Sequence, residues 1–228
     1  MTIEHPNPFA DPAAIAHYAD NARRTVPGLD AVHRMASVLL AERTPADARI
    51  LVLGAGGGLE LKVFADDHPN WTFDGVDPAP AMLDLARANL GAHADRVTLH
   101  TGYIDSAPDG PFDAGACLLT MHFLDAAQRL DTLRQVQRRL KPGAPFVVMH
   151  ISYDQEAQAR ELWLDREEAY LVASGSAPAD ARRRREAVSK ALHSLSPEQD
   201  KALLVQAGFS SVSLFFAAFT FRGWVAYA

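Results

Sequence analysis

Apolar and polar positions along the chain alternate between two patterns. Short segments of strand character stand at 49–53, 71–77, 96–101, 112–120 and 145–152. The first, four apolar residues running into glycines, predicts a strand buried on both faces, and the fourth, strongly apolar, predicts a central one. Between them lie stretches with helical spacing at 60–67, at 79–90 behind Pro78 and Pro80, and at 126–140, stopped by Lys141-Pro142-Gly143. Strand and helix in alternation predict a parallel sheet with right-handed crossovers. Ahead of the first strand, one helix is expected over 13–24. A second follows, capped by Asp30, with Val32, Met35, Ala36, Leu39 and Leu40 on one face. Residues 1–12 are proline-rich and expected to be poorly ordered. Past the fifth strand the pattern changes. Residues 154–193 carry no strand signal and are split by Ser174-Gly175-Ser176-Ala177-Pro178, which predicts an inserted helical hairpin. Ser196-Pro197-Glu198 opens another helix, ending at Ala207-Gly208, and 212–218 with 222–228 read as an antiparallel pair of strands.

The first strand runs into Gly54-Ala55-Gly56-Gly57-Gly58-Leu59. A strand, a turn without side chains and a helix make a place where a ligand can approach the backbone. The dinucleotide fingerprint wants glycine at the sixth position, and Leu59 stands there instead. Close helix packing is the other reading of such glycines. Asp77 ends the second strand, 23 positions beyond Gly54. An acid at that place can accept both hydroxyls of a ribose, or it can cap the following helix. After the third strand, Gly102-Tyr103-Ile104-Asp105 puts an aromatic, an apolar residue and an acid at the sheet's carboxyl edge.

Composition removes several function classes. The 228 residues are 48% hydrophobic and 22% charged, an ordinary globular balance. A net charge of −6 gives no general attraction for nucleic acid or anionic membrane. The single cysteine, Cys117, allows no internal disulfide. The N-terminal residues lack the pattern of a signal peptide, and no run is long enough to span a bilayer, so a cytoplasmic location is expected. Nine histidines have no metal-ligand spacing, and His17 with Asp20 is too thin a basis for a site, so no metal is expected. Arg182-Arg183-Arg184-Arg185, between Asp180 and Glu186, reads as a solvated helix face, or as the source of an arginine that reaches an anionic substrate.

With these residues in place, the chain resembles the class I S-adenosylmethionine-dependent methyltransferases from end to end. The resemblance implies a Rossmann-like α/β fold: a seven-stranded, mostly parallel sheet with helices on both faces, the last strand antiparallel and a helical insertion after strand five. It implies one domain over 1–228, with 1–45 as an N-terminal helical lid and 154–195 as the insertion. The implied cofactor is S-adenosylmethionine, held by Gly54, Ala55, Gly56, Gly58, Asp77, Pro78, Met82, Tyr103, Ile104 and Leu118. Tyr18, His122, Tyr153 and Arg185 are the implied substrate residues. His122 would be a general base if the acceptor is a phenol or alcohol, although it could equally pack at a strand end, as could His150.

The chain is similar more narrowly to the carboxy-S-adenosylmethionine synthase branch. The shared points are Val26-Pro27-Gly28, Pro80-Ala81-Met82, Leu119-Thr120-Met121-His122-Phe123-Leu124, the C-terminal run from Ala207 to Ala226, and an inserted arginine falling on Arg185. It departs from that pattern where Val52 replaces an acid two residues before the first glycine, Leu29 an aromatic, and Leu118 an asparagine. Three functions are therefore carried forward: methyl transfer to a small molecule, modification of the cofactor itself, and a non-catalytic descendant of the fold. A small-molecule substrate is expected, nucleic acid and membrane are not, and the apolar C-terminal strands could support a homodimer.

Overall fold

The computed structural model describes residues 17–228 of the chain. The expected start of the first helix at 13–16 and the proline-rich segment 1–12 lie outside the described residues. The elements are α1 (Tyr18–Thr25), α2 (Leu29–Ala41), β1 (Arg49–Leu53), α3 (Leu59–Asp67), β2 (Thr72–Asp77), α4 (Pro80–Leu90), β3 (Val97–Thr101), β4 (Ala114–Leu118), α5 (Ala126–Gln137), β5 (Pro145–Ile151), α6 (Ala157–Ala173), α7 (Pro178–Ala191), α8 (Pro197–Gln206), β6 (Ser210–Ala218) and β7 (Phe221–Tyr227).

Seven strands form one sheet in the order β3-β2-β1-β4-β5-β7-β6. The first five are parallel, with Leu53 beside Val76 and Leu118 beside Met149. Only β7 runs against its neighbours, pairing Trp224 with Val148 on one side and with Leu214 on the other. The expected fold class therefore stands, and β4 sits at the centre of the sheet with every residue buried.

Alternation along each strand divides the core in two. Ile50 and Val52 of β1, Ala116 and Leu118 of β4, and Val147 and Met149 of β5 face one side, where they meet Val32, Ala36 and Leu40 of α2 and Leu61 and Phe64 of α3. Leu51, Leu53, Cys117 and Val148 face the other side, against Leu133 and Val136 of α5 and Leu204 of α8. The periodicity of α2 thus marked its buried face correctly.

Some boundaries moved for local reasons. Asp30 does not cap α2, which starts at Leu29 behind Gly28, two residues before the start such a cap would set. Its carboxylate instead accepts from Arg23 Nε at 3.1 Å, tying α1 to α2. β4 is shorter than its apolar run. Phe112 makes only a bridge to Leu140, and Leu119 takes a left-handed φ of 58° that turns the chain out of the sheet. α8 begins on a reciprocal cap between Ser196 and Gln199. The insertion is the expected hairpin, α6 packed on α7. Buried Glu167 of α6 accepts from the Thr220 hydroxyl in the β6–β7 turn, which fixes the hairpin to the end of the sheet.

Candidate functional site

In the strand order, the direction of winding reverses between β1 and β4, and the crevice outside the carboxyl ends of these strands is the usual ligand site of such sheets. The glycine turn lies there. The N–H groups of Gly54 and Ala55 both donate to Val76 O, at 2.8 and 3.0 Å, so the turn is clamped to the end of β2. Gly57 N–H donates to Met82 O at 3.1 Å, and Asn89 of α4 donates to Gly57 O at 2.7 Å. Gly58 has a φ of +66°, and a Cβ there would sit 2.9 Å from Ala86 Cα. The glycine serves backbone conformation and helix packing together, so the two readings of the turn do not compete at this position.

Asp77 closes the site from the β2 side. One carboxylate oxygen accepts from Gly56 N–H at 3.0 Å and the other from Ala79 N–H at 2.8 Å. The residue is not the helix cap, because Ala79 holds that position without a side-chain bond. It braces the glycine turn against the start of α4, and each oxygen keeps a second lone pair for a ligand. Burial raises its carboxyl above the usual carboxylate range although both N–H bonds oppose the rise.

Tyr18 of α1 lies with its ring edge against Gly57, where any side chain would collide with it. Burial first, then the carboxylates of Glu60 and Asp77, push its hydroxyl well above the ordinary value. Glu60, in the first turn of α3, is only 5% exposed. Apart from its own backbone N–H, no group among the described residues pairs with its carboxylate. Burial, with a smaller contribution from Asp77, pushes its carboxyl up to about 8. Among the remaining expected cofactor residues, Ala55, Met82, Ile104 and Leu118 are buried, while Pro78 and Tyr103 are exposed. Ile104 opens a short 3-10 turn directly after β3.

The substrate candidates separate in space. His122 is buried, and its Nδ1 accepts from Ile151 N–H at 3.3 Å, which puts the ring proton on Nε2. Burial, then the charges of His150, Arg184 and Arg129, hold it well below the ordinary histidine range. The ring is a neutral donor, and its one lone pair is already taken by the backbone. Tyr153 is fully buried, with its hydroxyl making no well-directed hydrogen bond. Arg185 points along the hairpin, bonding Glu161 at 2.6 Å and Asp165 at 2.9 Å, and is engaged with its own surface. The neighbouring Arg184 turns inward instead, 3.5 Å from Glu167, and its charge bears on His122.

Two features escaped sequence reasoning. Glu60 coincides with a helix start, where an acid is unremarkable. The second feature is a wholly buried ion group: Arg129 of α5 donates to Asp200 of α8, and His150 Nε2 lies 3.2 Å from the other Asp200 oxygen. Arg129 also donates to His193 O at 2.8 Å, which locks the end of the hairpin to α5. Among the described residues no cluster could hold a metal ion, and no helix is long and apolar enough to cross a membrane.

Comparison with known proteins agrees with this geometry. Residues 50–143 match a family model described as a methyltransferase domain. The carboxy-S-adenosyl-L-methionine synthase of Campylobacter curvus (strain 525.92) is 24% identical over 218 residues, 95% of this chain and 93% of that protein. The synthase of Klebsiella pneumoniae (strain 342) is 25% identical over 213 residues, covering 92% and 86%. A structure described as an O-methyltransferase from Nostoc punctiforme PCC 73102 superposes with a TM-score of 0.69 at 18% identity. It covers 95% of this chain, but this chain spans only 61% of that one. A chain from the complex of the Haloferax volcanii Trm112 methyltransferase activator with a methyltransferase gives 0.64 at 19% identity, covering 95% and 96%. The structural likenesses establish the fold.

Proposed function

We propose that this chain, whose residues 50–143 match a methyltransferase domain model, is an enzyme that transfers a methyl group from S-adenosylmethionine to a small-molecule acceptor. The observation that carries the reading is Asp77, a carboxylate at the end of β2 that is braced by Gly56 and Ala79 and keeps free lone pairs beside the glycine turn. The residues fit the cofactor. The Tyr18 ring covers the side-chain-free face of Gly57, Asp77 suits two ribose hydroxyls, and Ile104 supplies an apolar surface for an adenine ring. The cofactor supplies an electrophilic sulfonium methyl. This chain's residues bind, orient and exclude water, and a nucleophile that arrives already basic needs no further acid or base. His122 serves this chemistry as a positioned Nε2–H donor and not as a base.

A second reading, modification of the cofactor itself, is favoured by similarity to the carboxy-S-adenosyl-L-methionine synthases along nearly the whole chain. In that reading, Arg184 rather than Arg185 is the hairpin cation available to a carboxylate near His122. Mass spectrometry of the nucleoside carried through purification tests both. A plain S-adenosyl ligand supports methyl transfer, a carboxylated one supports the second reading, and failure to take up either when supplied contradicts both.

A further inference from the structure

Glu60 is a buried carboxyl beside the glycine turn with no side-chain partner among the described residues. A carboxyl at 5% exposure is costly to keep unless something pairs with it. α3 covers the same face of the sheet that Val52 and Leu118 face, through Leu61 and Phe64. The charge of Glu60 is felt by Tyr18 beside the glycine turn and by Cys117 on β4, and Glu60 itself feels the charge of Asp77 at the end of β2. Glu60 stands in the first turn of α3, directly behind the Gly58 that ends the glycine turn. A buried carboxyl without a partner among the described residues is suited to a cation that arrives with a ligand.

We propose that Glu60 is the acceptor for the α-ammonium group of the bound cofactor, and so the residue that selects an amino-acid-bearing nucleoside over one without it. The inference rests on the S-adenosylmethionine reading above. The proton balance is simple. Near neutral pH the carboxylic acid releases its proton to solvent, and the carboxylate then pairs with the incoming ammonium; no covalent bond is made or broken in the ligand. Burial, which holds Glu60 up to about 8, is the reason the proton is there to be released.

Titration calorimetry with S-adenosylhomocysteine and with 5′-methylthioadenosine, which lacks the amino acid, tests the assignment on wild type and Glu60→Gln. Glutamine matches the neutral acid in shape, so the variant keeps the fold. The expected result is a roughly 10- to 100-fold loss of affinity for S-adenosylhomocysteine with 5′-methylthioadenosine unchanged. Repeating the titration in buffers of different ionisation heat should show proton release in wild type and none in the variant. Glu60→Asp, which keeps a carboxylate, should retain more of the discrimination than Glu60→Gln. Equal loss for both ligands, or no loss for either, overturns the proposal. Wild type that binds neither ligand overturns the cofactor reading first.

Discussion

Glu60 makes stability depend on pH in a direction opposite to most carboxylates. Its ordinary value is 4.5, and burial in the first turn of α3 raises it to about 8. Below pH 4.5 the group is protonated in folded and unfolded chains alike, and folding meets no penalty. Above it the unfolded chain ionises freely, while the folded chain must retain a proton or bury a charge. Stability therefore falls as pH rises, by about 1.4 kcal/mol per pH unit, and levels off above about 8. Across the whole window the cost reaches about 5 kcal/mol, a large share of the stability of an ordinary domain. The perturbation is Glu60→Gln, which removes the titration and little volume. Urea unfolding of both proteins between about pH 5 and pH 8 should show the variant gaining about 4 kcal/mol on wild type across that range. Other titrating groups cancel in the difference. Parallel curves for the two proteins would refute the reasoning, because they would place Glu60 in water.

Three further perturbations follow from the same contacts. Gly58→Ala combines a left-handed backbone with a clash against Ala86 and should cost about 2–5 kcal/mol, whereas Gly91→Ala, with nothing within 4 Å of its Cβ, should cost only about 1–2 kcal/mol; thermal melts of the pair that shift equally would deny the packing at Gly58. Asp200→Asn breaks the buried pair with Arg129 and should cost about 3–5 kcal/mol, read by chemical denaturation. Burial pushes Asp200 upward, but His150 and Arg129 more than offset it and hold it below the usual carboxylate value. Its contribution is therefore present at neutral pH and lost as pH falls through that lowered value, and the acid limb of the stability curve should flatten in the variant. Tyr18→Ala opens the face of Gly57 and should raise the dissociation rate of a bound nucleoside in stopped-flow measurements more than it changes the melting temperature.

Much of the scaffold is legible in the sequence because it rests on period and on glycine. The solid apolar run into Gly54 fixes β1 to the residue, and the break at Ser174–Pro178 fixes the hairpin. What escapes is set by rotation and distance. Four consecutive arginines give no phase, so Arg184 and Arg185 cannot be told apart until α7 packs on α6 and turns one toward Glu167. The group of Arg129, His150 and Asp200 draws on α5, β5 and α8, residues up to 71 positions apart, and no local pattern joins them. The sequence leaves His122 open between a base and a ring held at a strand end because the Ile151 N–H that occupies its Nδ1 is invisible there. Val52 raised the question of what acid would serve the turn. The structure offers Glu60, eight positions on, from the helix that covers the same face.

The central claim is that the crevice at Gly54–Gly58 takes an S-adenosyl nucleoside through Asp77. Calorimetric titration of wild type and Asp77→Ala with S-adenosylhomocysteine tests it directly. The account predicts saturable binding to wild type and a loss of roughly a hundredfold or more in the variant, as two hydrogen bonds to a carboxylate disappear. No heat and no thermal stabilisation of wild type, or equal affinity in the two proteins, would contradict it.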